Sequence, residues 1–452
     1  MAPVRLPQAL TPLRTRSFRL LLTGQLTSNL GDACYAVALP WYVLAAHGGA
    51  ILLGTVLAAY GIPRTALIAV GGWAADRWRA QTVMLATDAA RTIVLAGLAV
   101  TAATGPARAL ALVPIAIVAG AAEGLFLPAS FAIVPAVIPG EELQAANALS
   151  SGGTQLATLA GPVVGGALVA FAGPALTFAL DAASFAVSAV TLAMMAGLAG
   201  LRRAAAQQSA TSPDPGPATP AGDEPHSGKS LLALLRTERV LLVMLLITVA
   251  ANLGSGGESE VALPALAHGP LHAGAAGYGF ILAAFGGGAL LGTIVVGQVT
   301  SVRRPAFVGS LVFLAEAFFI GVVPYVGSTM AVAGAMAAVG IANGFANVLT
   351  ITAFQRWAPP ALRGRLLGLM LLASFGTFPL SVAVAAVTVN AFGPAPFFVF
   401  AAAALAAAIL GGLTQRSWRD FGATTPAPTE DLDNQSERFP VSPSPQPLTS
   451  GD

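Results

Sequence analysis

Leu57-Ala58-Ala59-Tyr60-Gly61 recurs as Leu282-Ala283-Ala284-Phe285-Gly286, and the same register aligns Gly72 with Gly297 and Arg79 with Arg304. One spacing therefore holds across a whole apolar run and the basic loop that ends it. Shorter echoes pair Asn29-Leu30-Gly31 with Asn252-Leu253-Gly254, Ala38-Leu39-Pro40 with Ala262-Leu263-Pro264, and Ala122-Glu123-Gly124 with Ala342-Asn343-Gly344. For these short echoes taken alone, chance likeness of Ala- and Gly-rich helices is an equal account.

Each echo falls six apolar runs later. Runs bounded by Gly/Pro turns or arginines predict spans over 18–46, 50–74, 81–103, 108–137, 143–171 and 174–198, then 238–266, 275–298, 305–326, 329–355, 366–391 and 394–415. A helix needs about 20 apolar residues to cross a bilayer, so 452 residues suffice for a dozen crossings. Only 9% of the residues are charged and 56% are hydrophobic, whereas a soluble domain carries about 25% charge; a soluble enzyme is excluded. Backbone groups in lipid must pair within a helix or a closed barrel, and the runs lack the alternation of barrel strands. The expectation is an all-α membrane protein of twelve transmembrane helices, in two six-helix bundles related by pseudo-two-fold symmetry, rocking about a midplane cavity. The expected parts are an N-terminus (1–17), a first bundle (18–203), a linker (204–237), a second bundle (238–419) and a disordered tail (420–452); linker and tail are rich in Pro, Ser and Ala.

The net charge is +2 and Lys229 is the lone lysine, so no nucleic-acid partner is expected. The arginines at the N-terminus, at Arg77 and Arg79, Arg202 to Arg239, Arg303 and Arg304, Arg356 to Arg365, and Arg416 with Arg419 all fall on one side, and Arg108 on the other. By the positive-inside rule both termini are cytoplasmic, which requires an even number of spans. The first run has no small-residue cleavage site and is expected to be retained. Cys34 stands alone and permits no intramolecular disulfide. Gly228-Lys229-Ser230 imitates the end of a phosphate-binding loop, but Gly222 is one residue too far away and no strand precedes it.

Further motifs carry a family likeness. Gly72, Asp76 and Arg77 match a loop of the form G-x-x-x-D-R-x-G-R-R, from which Arg79 and Ala80 depart. Pro128-Ala129, Pro135, Pro139-Gly140-Glu141-Glu142-Leu143, Ala146-Asn147-Ala148, Gly161-Pro162-Val163-Val164-Gly165-Gly166 and Leu180-Asp181-Ala182-Ala183-Ser184-Phe185 follow. Over residues 18–415 the chain thus resembles the major facilitator superfamily, and within it the bacterial drug:proton antiporter branch that includes macrolide and enterobactin exporters. The resemblance implies the major facilitator fold, residence in a bacterial cell (inner) membrane, and no cofactor or metal. It also implies monomeric export of a small amphipathic drug-, antibiotic- or siderophore-like molecule by proton antiport and alternating access. It implies a gating role for Gly72, Asp76 and Arg77, with Asp76 against a neighbouring helix N-terminus; a plain topology-setting turn is the other account. The corresponding position in the second half is Ser301, which makes any such latch one-sided. Gly161, Pro162, Gly165 and Gly166 are implied to serve antiport, or simply tight packing.

Ionisable residues inside spans are costly unless paired or hydrated, and so mark function. Asp32, just past the midplane of the first span, and Glu123, similarly deep in the fourth, are the expected proton-coupling carboxylates, modulated by Arg64; an ion pair that merely satisfies charge is the alternative. Asp88 and Arg91, one turn apart, are expected to pair with each other or with the Asp76 loop and so to join the gating set, a mainly structural pairing being the alternative. Glu258 and Glu260, beside Gly254, Gly256 and Gly257, are expected to face a vestibule, and Glu316 has no assigned role. Tyr35, Trp41, Phe126, Phe131, Phe285, Phe345 and Phe378, with Glu258 and Asn343, are the candidate lining of a mostly apolar substrate cavity; lipid-facing or packed aromatics are the alternative. Uptake through the same fold and a non-transporting membrane sensor remain open. His47, His226, His268 and His272 fall in loops or at span ends and form no HExxH pair, and no nucleophile with a base is visible.

Overall fold

The computed structural model describes residues 8–138, 140–209, 239–298, 302–357 and 363–422. The expected linker beyond 209, Gly228-Lys229-Ser230, Ser301 and the tail from 423 lie outside the described residues. Twelve long helices follow in order: α1 (Arg16–Ala45), α2 (Gly49–Trp78), α3 (Ala80–Thr104), α4 (Ala109–Val137), α5 (143–172), α6 (174–209), α7 (Arg239–His268), α8 (Gly274–Gln298), α9 (Pro305–Val322), α10 (Thr329–Trp357), α11 (Arg363–Phe392) and α12 (Ala395–Thr414). Ten stretches meet the length and composition of a membrane span. One of them, Leu143–Met195, turns back at Gly173 (φ 81°), just before Pro174, and makes two passes; α1 is the twelfth. A short 3-10 helix (Gln8–Arg14) precedes α1. Helix α6 continues to Ser209, six residues into the expected linker. The second residue of the expected tail is buried: Phe421 stacks on Trp418 at 5.8 Å.

The internal repeat reappears in the packing. Gly120 and Gly124 on α4 lie against the backbone carbonyls of Tyr60 and Arg64 on α2, where a Cβ would collide. Gly340 and Gly344 on α10 lie in the same way against Phe285 and Ala289 on α8. Small residues that let helix backbones touch are the main device for joining helices in lipid, where apolar burial supplies little.

One departure from the repeat has a structural consequence. Asn29 aligns with Asn252, but Ala38 aligns with Ala262 in a register one residue longer, so α7 carries an extra residue between Gly254 and Ala262. That residue is absorbed as a turn of π-helix over Glu258–Ala262, the usual form of such an insertion. Beside it, Ser381 of α11 accepts the Gly257 N–H (2.6 Å) and donates to the Leu253 carbonyl (2.6 Å), two groups that an unbroken α-helix would pair with each other.

The apolar core is a single body at one end and two at the other. Away from the arginine-rich end, one cluster draws buried residues from both halves, including Val37, Leu53, Phe178, Leu263, Tyr278, Val382 and Phe397. Trp41 meets His268 edge-on at 5.0 Å there, Gly54 lies against Ala386, and Gly279 against the Pro162 carbonyl. At the arginine-rich end, Phe18, Met84 and Ile133 centre a core of the first half alone, and Leu241, Phe354 and Trp418 one of the second. Among the described residues, the halves thus share one core at one end and are parted into separate cores at the other.

Arg79, where the loop motif has glycine, holds φ 68°. A side chain in that region costs about 1–3 kcal/mol, so Arg79→Gly is expected to raise the thermal unfolding temperature of the purified protein; an unchanged or lower one contradicts this. Gly124→Val and Gly344→Val are each expected to destabilise by about 1–3 kcal/mol through overpacking, measured by thermal unfolding in detergent.

Candidate functional site

Four helices of the first half carry charge near their midpoints. Arg91 on α3 reaches Glu123 on α4 (Nη2 to Oε2, 2.5 Å) and Asp32 on α1 (Nη1 to Oδ2, 3.6 Å). Arg64 on α2 holds the other oxygen of Glu123 at 3.0 Å, and Tyr60, one turn earlier, donates its hydroxyl to Glu123 as well. The faces of both guanidiniums are covered by aromatic rings: Phe185 of α6 lies 4.8 Å from Arg91, and Phe375 of α11 lies 4.6 Å from Arg64. Neutralising two carboxylates with two arginines is what makes this cluster tolerable in a low-dielectric interior.

The cluster borders a cavity of about 240 Å³, lined also by Tyr35, Asp181, Phe378 and Glu260. Asp181 is buried and its Oδ2 has no hydrogen-bond partner among the described residues. Glu260 comes from the second half, on the π-turn of α7. Four carboxyl groups therefore share a cavity with two guanidiniums, which leaves it able to take up positive charge. Asp32 and Glu260 also line a cavity of about 370 Å³ between α1, α5, α7 and α8. Its Ser259, Leu282 and Phe285 in turn line a third cavity, of about 570 Å³, within the second half. Alternate residues of the π-turn therefore face different chambers: Glu258 lines the third and Glu260 the first.

The expected site residues are distributed as follows. Asp32, Glu123 and Arg64 meet in one cluster. Arg91, expected to pair with Asp88 or the Asp76 loop, instead bridges Glu123 and Asp32, while Asp88 accepts a hydrogen bond from Ser188 on α6 (2.6 Å). A one-turn spacing puts both on one side of α3, but the longer Arg91 side chain reaches past it to the deeper charges. Asp76 and Arg77 are exposed at the parted end, and the Asp76 side chain has no hydrogen bond or ion pair among the described residues. The glycine-proline stretch of α5 lies between the halves: Gly161 and Gly165 touch Ala33 and Cys34 of α1, and Gly166 touches Ala275 and Gly279 of α8. Tyr35 and Phe378 line the first cavity, and Glu258, Phe285 and Asn343 the third. Trp41 is part of the seal, Phe131 is exposed on the outside, and Phe126 and Phe345 line none of these three cavities. Tyr60 and Asp181 are legible in the sequence only as parts of motifs; a hydroxyl where the repeat has Phe285 is the one signal at Tyr60.

The second half carries a muted copy of the cluster. The register that pairs Leu57 with Leu282 pairs Arg91 with Glu316, and Glu123 pairs with Asn343. Asn343 donates to Glu316 Oε1 at 3.0 Å. The contact between the third and fourth helices is kept, with donor and acceptor exchanged.

Comparisons with known proteins agree with this architecture. An enterobactin exporter of Shigella boydii serotype 4 is 27% identical over 359 residues, covering 78% of this chain and 80% of its own. That of Citrobacter koseri is 26% identical over the same shares. Among solved structures, a bacterial homologue of the iron transporter ferroportin superposes with a TM-score of 0.65 at 17% identity, over 89% of this chain and 98% of that one. A D-xylose-proton symporter superposes with a TM-score of 0.65 at 14% identity, over 92% of this chain and all of that one. Residues 7–441 match the family described as transmembrane secretion effector. The chain is a multi-pass membrane transporter rather than an enzyme, and it belongs to the transmembrane secretion effector family of the major facilitator superfamily.

Proposed function

We propose that this chain exports a small amphipathic molecule by proton antiport, with proton entry through the first half driving cargo outward by alternating access. The observation that carries the reading is the ion-paired set Asp32, Arg64, Arg91 and Glu123, in which Arg91 is buried and the other three are partly exposed, held between helices that must move and open to a cavity with more carboxyl groups than guanidiniums. A proton arriving on Asp32 or Glu123 loosens the hold of Arg91, and the freed guanidinium and its helix repack. The outward direction is supported by the exporters that the chain resembles.

In this reading the chain works as a single protomer in a bacterial inner membrane, with both termini cytoplasmic and two bundles (18–203 and 238–419) joined by a linker. The parted, arginine-rich end then faces the cytoplasm, ready to load cargo. Asp76 engages the neighbouring helix end when that side closes. The α5 glycines hold α1 and α8 close enough for one motion to move both.

Proteoliposomes with an imposed proton gradient test this. Wild-type protein is expected to drive accumulation of an amphipathic dye in the compartment that supplies the protons, whereas Asp32→Asn and Glu123→Gln are expected to reduce transport to the level of protein-free vesicles. Full gradient-driven transport by both variants, or movement of dye together with protons, contradicts the proposal. Removing one partner of a buried ion pair leaves the other uncompensated, so Arg91→Gln is expected to lower stability by about 3–5 kcal/mol. Thermal unfolding checks this, and a loss no larger than that of a surface substitution contradicts it.

A further inference from the structure

A chamber of about 570 Å³ lies within the second half. Its size falls in the range of roughly 300–1,000 Å³ that holds drug-sized ligands. Phe285, Phe313 and Phe354 give it an apolar wall, and the carboxyl groups of Glu258 and Glu316 face it from α7 and α9. Among the described residues, no Lys, Arg or His lines it.

Glu316 is only 6% exposed. Asn343 satisfies one carboxyl oxygen, and the other, Oε2, has no hydrogen-bond partner among the described residues. The repeat supplies the comparison that gives this meaning. In the first half the same contact between the third and fourth helices joins Glu123 to Arg91, and Arg64 adds a second positive group. In the second half the position of Arg64 is Ala289, and the partner of Glu316 is a neutral amide. The acid has moved from the fourth helix of the half to the third, and no counter-charge stands where its partner would be. A buried carboxylate is stable only when paired, and a buried acid with one unpartnered oxygen, on a residue that lines a chamber of ligand size, is a place for a donor from outside the chain once the side chain turns toward it.

We propose that this chamber binds the positively charged group of the transported molecule, a protonated amine or guanidinium, on Glu316 and Glu258, with the apolar body against the phenylalanine wall. The cargo is thereby assigned to the class of cationic amphiphiles, and recognition is separated from the coupling cluster of the other half. Only the word cargo rests on the export reading; the binding site stands independently of it.

The test is equilibrium dialysis of the full-length protein in lipid nanodiscs, with ethidium as an aromatic cation bearing amino groups and 8-anilinonaphthalene-1-sulfonate as an aromatic anion. Wild-type protein is expected to bind ethidium and to discriminate against the anion. Loss of a charged hydrogen-bond partner weakens binding by about 10- to 100-fold, so Glu316→Gln and Glu258→Gln are expected to reduce ethidium affinity by that order while not weakening the anion. Equal affinity of wild-type protein for both dyes overturns the proposal without reference to any variant. Undiminished ethidium affinity in both variants overturns it as well. Ethidium that binds as expected but is not driven across proteoliposome membranes leaves the site standing and removes the export reading instead.

Discussion

The guanidinium of Arg91 is the point on which the first half depends. It reaches Glu123 at 2.5 Å and Asp32 at 3.6 Å, and so ties α3 to α4 and α1 at a depth where an unpaired charge is not tolerated. Arg64 and Tyr60 close the same knot from α2, and Arg64 extends it to Phe375 in the second half. Because each member needs the others, any event that discharges one of them changes the best arrangement of four helices at once. In the proposed mechanism local charge becomes helix movement by this route, because packed helices have few alternative arrangements and no continuous range of them.

The second half shows what happens when the same frame is kept and the charges are changed. The glycine contacts of α8 and α10 repeat those of α2 and α4, but Glu316 and Asn343 stand where Arg91 and Glu123 do. Among the described residues, the first half has internal ion pairs at its centre and the second has a buried acid with one unpartnered oxygen. Between them runs α7, whose extra residue is taken up as a π-turn that turns Glu258 to one chamber and Glu260 to the other. The single insertion is thus the structural link between the two chemistries.

Much of this architecture is legible in the amino-acid sequence, and the parts that are not have a common cause. Span number follows from length and apolarity, because lipid leaves the backbone no other choice. Asp32, Glu123 and Arg64 stand out because charge at that depth is expensive. The partners of Arg91 do not, because helical spacing reports neighbours on one helix and is silent about how far a long side chain reaches across to others. Phe131 and Trp41 read as cavity residues because an aromatic side chain has no polarity to betray its facing; one is exposed and the other plugs the sealed end. The one-residue change of register in α7 is present in the aligned echoes, and only the packing against Ser381 gives it meaning. Asp181 lies inside a recognisable motif, but its unpartnered oxygen is a property of burial alone.

The proposed mechanism has the paired charges of the first half favour the arrangement in which the arginine-rich end is apart, and electron-paramagnetic-resonance distance measurement between spin labels on a Cys34→Ser background tests this most directly. Labels introduced by Trp73→Cys and Leu371→Cys report the parted end, and labels introduced by Ala46→Cys and Leu271→Cys report the sealed one. With the cluster neutralised by Asp32→Asn and Glu123→Gln, the expected result is a shorter distance at the first pair and a longer one at the second. Unchanged distances at both ends would contradict the role given to these charges.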